Sequence, residues 1–142
     1  MKFCCEIMPR YHEIDKMGFL HNSAYQTIFE EAKASMTRST GYSYAELEND
    51  GICLPITDFH CSYKSPVFYS DCIKVYVWVA LLKTYSTKLF FRITKNNDKI
   101  IAAEGYAIHA AIDAITKQLC EIPEKVVSLW TKYTDDELLF FR

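Results

Sequence analysis

Between Tyr25 and Met36 the apolar positions return as Tyr25, Ile28, Phe29, Ala32 and Met36, the spacing of one helix face. Glu30, Lys33, Thr37 and Arg38 fall mostly off that stripe. Asn22 and Ser23 are residue types that cap helices, and Gln26 stands three residues after Ser23, as in a capping box. Gly41 can end the helix in a left-handed conformation. The pattern predicts a helix of about four turns starting near Ser23. Ser43 to Glu48 predicts a second, short helix, with Ser43 as cap and Glu46 at the capping-box position.

Elsewhere the pattern is that of strands. Lys2 to Met8 reads as one, stopped by Pro9. Ile52 to Tyr63 follows the turn Asn49-Asp50-Gly51 and has an irregularity near Pro55. Cys72 to Leu82, Tyr85 to Thr94 and Lys99 to Ile112 are rich in β-branched and aromatic residues. Asn96-Asn97-Asp98 marks a hairpin turn, and Gly105 a bulge or a close-packing point. Thr116 to Cys120 reads as a short last strand, and Pro123 opens a helix through Val127 and Trp130. The tail TDDELLFFR holds large apolar residues that must dock on this chain or on a partner.

This order predicts an α+β fold with one antiparallel sheet, because short turns force neighbouring strands to run antiparallel. Residues 1–142 are expected to form a single unit. One long helix covers one sheet face only. The strands Cys72–Leu82 and Tyr85–Thr94 carry apolar residues on both parities, so a homodimer at least is expected.

Charge and composition remove several classes of function. A net charge of −2 with no basic stripe argues against nucleic-acid binding. No apolar run is long enough to span a membrane, and MKFCCEIMPR does not read as a secretory signal, so the cytoplasm is expected. The cysteines Cys4, Cys5, Cys53, Cys61, Cys72 and Cys120 include no C-x-x-C pair, which leaves the zinc signal weak. They are expected to be reduced, mostly buried thiols.

The candidate chemistry lies in the loop before the long helix, which holds His12, Asp15 and His21. A helix start presents N–H donors and a positive dipole end. An acid beside such donors suits acyl transfer, in which negative charge develops on a carbonyl oxygen. Asp58 and His60 share a strand face, while Cys61 points to the other, which disfavours a Cys–His pair. Lys64, Lys83 and Lys88 are candidates to meet phosphates.

The stretch Asp15 to Lys33, DKMGFLHNSAYQTIFEEAK, resembles the active-site segment of the 4-hydroxybenzoyl-CoA-thioesterase-like hotdog-fold family. That segment opens D-x-M-G and closes F-E-E-A-R. Asp15, Met17, Gly18, Asn22, Tyr25, Phe29, Glu30, Glu31 and Ala32 stand in register with it, and Lys33 takes the place of the family's Arg. Tyr63-Lys64-Ser65-Pro66 with Asp71 resembles its Y-x-x-P and following acid. Ala103-Glu104-Gly105 and Ile122-Pro123 resemble its late strand and closing I-P.

The resemblance implies a hotdog fold: one long helix wrapped by a curved antiparallel sheet of about five or six strands. It implies hydrolysis of an acyl thioester, from coenzyme A or an acyl-carrier protein, by a homodimer or possibly a homotetramer. No cofactor is implied beyond the coenzyme A or phosphopantetheine of the substrate, and no metal. Asp15 is then the catalytic carboxylate, as general base or nucleophile. The backbone N–H of Asn22 is the oxyanion donor, and Glu31 is a second candidate acid. Gly18, His21, Ser23, Tyr25 and Lys64 are the substrate-binding candidates.

The chain departs from the family at His21, one position off the family histidine, while Phe19 replaces the His that precedes the Asn-Asn variant; no catalytic role is carried onto His21. This departure supports an alternative, a non-hydrolytic acyl-CoA-binding or acyl-carrier-binding scaffold. A hotdog dehydratase is set aside: Asp15 and His21 lack the five-residue spacing around an Asn-Pro.

Overall fold

The computed structural model describes the backbone of residues 1–140 and the side chains of residues 1–135. Helix α1 (Ala24–Ser39) buries Tyr25, Ile28, Phe29, Ala32 and Met36, the stripe its spacing predicts. Around it curve β1 (Phe3–Ile7), β3 (Ile56–Tyr63), β4 (Ile73–Leu82), β5 (Ser86–Lys95) and β6 (Ile100–Ala110), in the spatial order β1-β4-β5-β6-β3 with antiparallel neighbours. A short helix α2 (Tyr44–Asn49) follows α1, and β2 (Ile52–Cys53) pairs with β7 (Ile112–Asp113). Helix α3 (Glu124–Trp130) and β8 (Thr134–Phe140) close the described chain. This is the α+β hotdog architecture, with a sheet of six strands.

Alternation along each long strand sorts its side chains. Val75, Val77 and Val79 of β4, Leu89, Phe91 and Ile93 of β5, and Ala103 and Ala107 of β6 are buried on the helix side. Phe29 of α1 meets Phe91 at 5.0 Å and Phe59 at 5.9 Å, and Phe59 stacks on Phe91 at 5.7 Å. Each such ring contributes about 2 kcal/mol by burial alone. The opposite, outer face carries Trp78, Phe90, Tyr106 and His60, one from each of four strands, with successive ring centroids 5.8, 6.1 and 5.4 Å apart.

Gly105 proves to be a close-packing point rather than a bulge. A Cβ there would lie 2.0 Å from the His60 carbonyl oxygen and 2.6 Å from the Phe91 ring. Backbone cannot yield as a side-chain tip does, so Gly105→Ala is expected to destabilise the fold by about 3 kcal/mol, measured as a shift in urea midpoint.

Four expectations from the sequence change. The run Ile52 to Tyr63 is two strands, because Pro55 has no N–H to give a ladder. Thr116 to Cys120 is a turn with a single bridge, Ile112 to Leu119, closed by Asp113 Oδ1 accepting the N–H groups of Ile115 and Thr116 at 2.8 Å each. Part of the tail forms β8, which runs parallel to β4 and pairs with its end; Phe141 and Arg142 lie outside the described residues.

The fourth change concerns Lys33 and Thr37, which are buried although they lie off the apolar stripe. Lys33 Nζ lies 2.8 Å from Nε2 of His109, a fully buried residue on β6, and 2.9 Å from Glu30 Oε2. The rings of Phe29 and Tyr44 flank the ammonium at 5.4 and 5.1 Å. A curved sheet folds over the flank of α1 as well as its apolar face, and so covers residues that periodicity assigns to solvent.

Candidate active site

The loop before α1 is a tight reversal. Ile14 bridges Leu20, the Asp15 N–H donates to the Phe19 carbonyl at 3.1 Å, and the Gly18 N–H donates back to the Asp15 carbonyl at 3.0 Å. Gly18 has φ +86°, which a residue with a Cβ rarely adopts. The Asp15 carboxylate accepts the Met17 N–H at 2.8 Å through Oδ1, which fixes its direction from within the loop. Two longer-range bonds anchor the reversal: Leu20 N–H to the Val67 carbonyl at 2.7 Å, and His21 N–H to the Glu13 carbonyl at 2.8 Å.

Glu13 is itself nearly buried. Burial alone would raise its carboxyl, but Arg10 pairs with it at 3.1 Å and holds it below the usual range.

Asp15, Met17, Phe19, Leu20, His21, Asn22, Tyr25 and Tyr63 line one hollow of about 180 Å³ at the start of α1. Here the expected cap does not form. The Ser23 side chain makes no bond to a first-turn N–H, and the Ser23–Gln26 capping box is absent. His21 takes the role: its Nδ1 accepts the Ser23 N–H at 3.1 Å and lies 2.8 Å from Ser23 Oγ. With Nδ1 an acceptor, the neutral ring carries its proton on Nε2. The Ser43–Glu46 box of α2 does form, with Ser43 N–H to Glu46 Oε2 at 2.7 Å.

The donors at the helix start are largely spoken for. Ala24 N–H donates to the His21 carbonyl at 3.0 Å and Tyr25 N–H to the Asn22 carbonyl at 3.4 Å. Among the described residues, the Asn22 N–H donates to no backbone carbonyl. Tyr25 serves both core and hollow; burial pushes its hydroxyl up to about 12, so it stays protonated and neutral.

Gly18 and Ser23 adjoin lining residues in sequence without lining the hollow themselves, and two further sequence candidates lie apart from it. Glu31 is exposed on α1 and pairs with Arg38 at 3.2 Å. Lys64 lines a shallow groove of about 310 Å³ on the outer sheet face with Ser62, Trp78 and Arg92. The strand alternation that turns Tyr63 toward α1 turns Lys64 away. Asp58 and His60 also lie on that outer side, opposite Ile108 and Tyr106. Tyr63 is the hollow residue that periodicity gave no role; its only sequence signal was its place in the Y-x-x-P stretch.

All six cysteines are unpaired thiols, but they are not mostly buried: Cys4 and Cys72 are exposed and the other four half-buried. Partial burial pushes Cys61, on the helix side of β3, up to about 11. Among the described residues no group of three or more His, Cys, Asp or Glu side chains is arranged to hold a metal ion. No helix among them is long and apolar enough to cross a membrane.

Residues 9–129 match the model of the thioesterase-like superfamily, and the chain belongs to that family. A solved DHNA-CoA thioesterase from Staphylococcus aureus superposes with a TM-score of 0.85 at 28% identity, over 92% of this chain and 89% of its own. A 1,4-dihydroxy-2-naphthoyl-CoA hydrolase of a Synechococcus strain is 27% identical over 79 residues, which is 56% of this chain and 52% of that protein. A further Staphylococcus aureus structure, solved in complex with CoA, shares the fold with a TM-score of 0.84 at 22% identity, covering 94% of this chain and 84% of its own. Fold and family together define this chain as a thioester hydrolase.

Proposed function

We propose that the protein hydrolyses an acyl thioester of coenzyme A or of an acyl-carrier protein, with Asp15 as the working carboxylate. The observation that carries this reading is one hollow lined by both Asp15, whose carboxylate is held by the Met17 N–H, and Asn22, at the start of α1.

Asp15 takes a proton from water while the water oxygen attacks the thioester carbonyl, or it attacks that carbon itself and the resulting anhydride is hydrolysed. The carbonyl oxygen becomes an oxyanion, and the Asn22 N–H donates to it. Such a donor is worth about a hundred- to a thousandfold in rate. The C–S bond then breaks. A thiolate is a good leaving group and takes its proton from the acid or from water, so the reaction needs no metal and no cofactor beyond the substrate's own coenzyme A or phosphopantetheine.

Gly18 shapes the reversal that aims Asp15. His21 and Ser23 set the helix entry, and Tyr25 forms the floor. Lys64, on the outer face, would meet only a part of the thiol carrier that wraps round the end of β3.

The reading also includes a homo-oligomer. The aromatic ladder Trp78–Phe90–Tyr106–His60 lies on a sheet face that α1 does not cover, and β3 is an outer strand of the sheet. Sedimentation is expected to give a dimer or larger at micromolar concentration, and a monomer would refute it. The unpaired thiols fit the cytoplasm, a reducing compartment.

Thiol release from a panel of acyl-CoA and acyl-carrier substrates, varied in chain length and in aryl group, tests the reaction. Turnover of at least one is expected. Binding of acyl-CoA without any turnover would select the scaffold reading instead.

A further inference from the structure

Tyr63 stands at the end of β3 and lines the same hollow as Asp15. Its ring meets Tyr25 edge-on, with centroids 4.8 Å apart and planes at 79°. Its hydroxyl donates to the Asn22 carbonyl at 3.3 Å. That carbonyl also accepts the Tyr25 N–H, so one oxygen ties the first turn of α1, the loop and β3 together. Tyr63 nevertheless keeps about half of its surface exposed, at 52%. A residue that served packing alone would be buried; this one is half open, and its hydroxyl donates to Asn22, which lines the same hollow.

We propose that Tyr63 is a positioning residue of the hydrolytic site: through the Tyr25 ring and the Asn22 carbonyl, it holds the Asn22 N–H in line with the thioester oxygen above Asp15. The inference rests on the reading of this hollow as the hydrolytic site.

The physical case is one of restraint. Asn22 lies before the first helical residue, and the caps that usually fix such a residue are absent because Ser23 bonds to His21 instead. The peptide that carries the Asn22 N–H is held on its carbonyl side, where the His21 carbonyl accepts the Ala24 N–H at 3.0 Å, and the next peptide is held at the Asn22 carbonyl. The hydroxyl of Tyr63 and the first-turn amide of Tyr25 both bond the Asn22 carbonyl. The peptide that carries that carbonyl follows directly on the one that carries the Asn22 N–H, so fixing one limits rotation of the other. A donor aimed at an oxyanion loses effect steeply with misalignment, and small displacements at a reacting centre cost much in rate.

The hydroxyl of Tyr63 stays protonated through the neutral range, since partial burial and then the neighbouring Cys61 thiol both raise it. The restraint therefore does not titrate where the enzyme works.

Tyr63→Phe keeps the ring contact and removes the hydroxyl, with its bond to the Asn22 carbonyl and its contact with the Cys61 thiol. It is expected to lower kcat about tenfold with KM unchanged, to speed amide exchange at Tyr25, and to leave the thermal midpoint and exchange along β3 where they were. Tyr63→Leu, which also loses the ring, is expected to lower kcat further. Full kcat in Tyr63→Phe would overturn the proposal. So would a loss of activity carried by KM or by a lower thermal midpoint, because Tyr63 would then bind substrate or hold the fold. If the unaltered protein releases no thiol from any substrate, the hydrolytic reading falls; unchanged amide exchange at Tyr25 in Tyr63→Phe would then refute the restraint itself.

Discussion

Asp15→Asn is expected to lower kcat for thioester hydrolysis by about a hundredfold or more, with the fold intact. The substitution keeps the size and shape of the side chain. The amide oxygen can still accept the Met17 N–H that Asp15 Oδ1 accepts at 2.8 Å, so the reversal from Ile14 to Leu20 persists. What disappears is the charge: an amide neither removes a proton from water nor attacks a carbonyl at a useful rate. The Asn22 N–H remains, so residual catalysis from the oxyanion site survives. Substrate affinity is expected to hold, because the carboxylate makes no part of an acyl pocket, and it can rise if the charge had repelled the phosphates.

Glu31→Gln is the paired control. Glu31 is exposed, pairs with Arg38 on the helix surface and does not line the hollow, so its loss is expected to change kcat by less than about threefold. Steady-state kinetics on both variants decides the matter. A dead Glu31→Gln beside an active Asp15→Asn would move the catalytic acid to the helix.

The fold is expected to lose stability as pH falls from about 6.5 toward 3. Burial first, and the Lys33 ammonium second, hold His109 down to about 3, so the ring is neutral in the folded protein across this range. In the unfolded chain the ring takes up its proton near its ordinary value, about 6.5. Below that pH the unfolded state therefore binds one proton more than the folded state. The resulting bias toward unfolding is absent above about pH 7 and reaches on the order of 4 kcal/mol near pH 3.

Urea denaturation at several pH values measures this slope. His109→Gln is expected to flatten it, since an amide does not titrate, and also to weaken the fold at neutral pH by about 3 kcal/mol. That second loss arises because the buried Lys33 ammonium loses the neutral His109 ring nitrogen 2.8 Å away that accepts its hydrogen bond, while its ion pair with Glu30 stays. A pH profile identical in the two proteins would show that His109 is not the group responsible. The pair joins the third turn of α1 to the end of β6, well along the helix from the hollow, so kcat is expected to change little in any His109→Gln protein that remains folded.

Local pattern was enough for the parts of this protein that depend on local forces. The α1 stripe, the alternation along β4, β5 and β6, the Ser43–Glu46 cap and the Asn96-Asn97-Asp98 turn each follow from spacing or from backbone preference. The turn residues all show positive φ, at 55°, 53° and 67°. The family register placed Asp15 and Asn22 in one loop-to-helix segment, and their meeting in one hollow needs only the tight reversal closed by Gly18.

Long-range packing decided the rest. Lys33 reads as a solvent residue because helical periodicity knows nothing of a curved sheet; His109, 76 positions away, becomes its neighbour only when β6 passes under α1. Ser23 reads as a cap because its spacing to Gln26 is right, but the His21 ring, held by the loop, competes for its hydroxyl and wins. Lys64 reads as a substrate contact because a lysine can meet a phosphate, yet the alternation that turns Tyr63 toward α1 turns Lys64 to the opposite face. For the same reason Tyr63, 41 positions from Asn22, comes into bonding reach of its carbonyl only through the register of β3 against β6. Sequence spacing fixes which residues share an element. Which elements share a wall depends on how the sheet curves, and that curvature is a property of all its strands together.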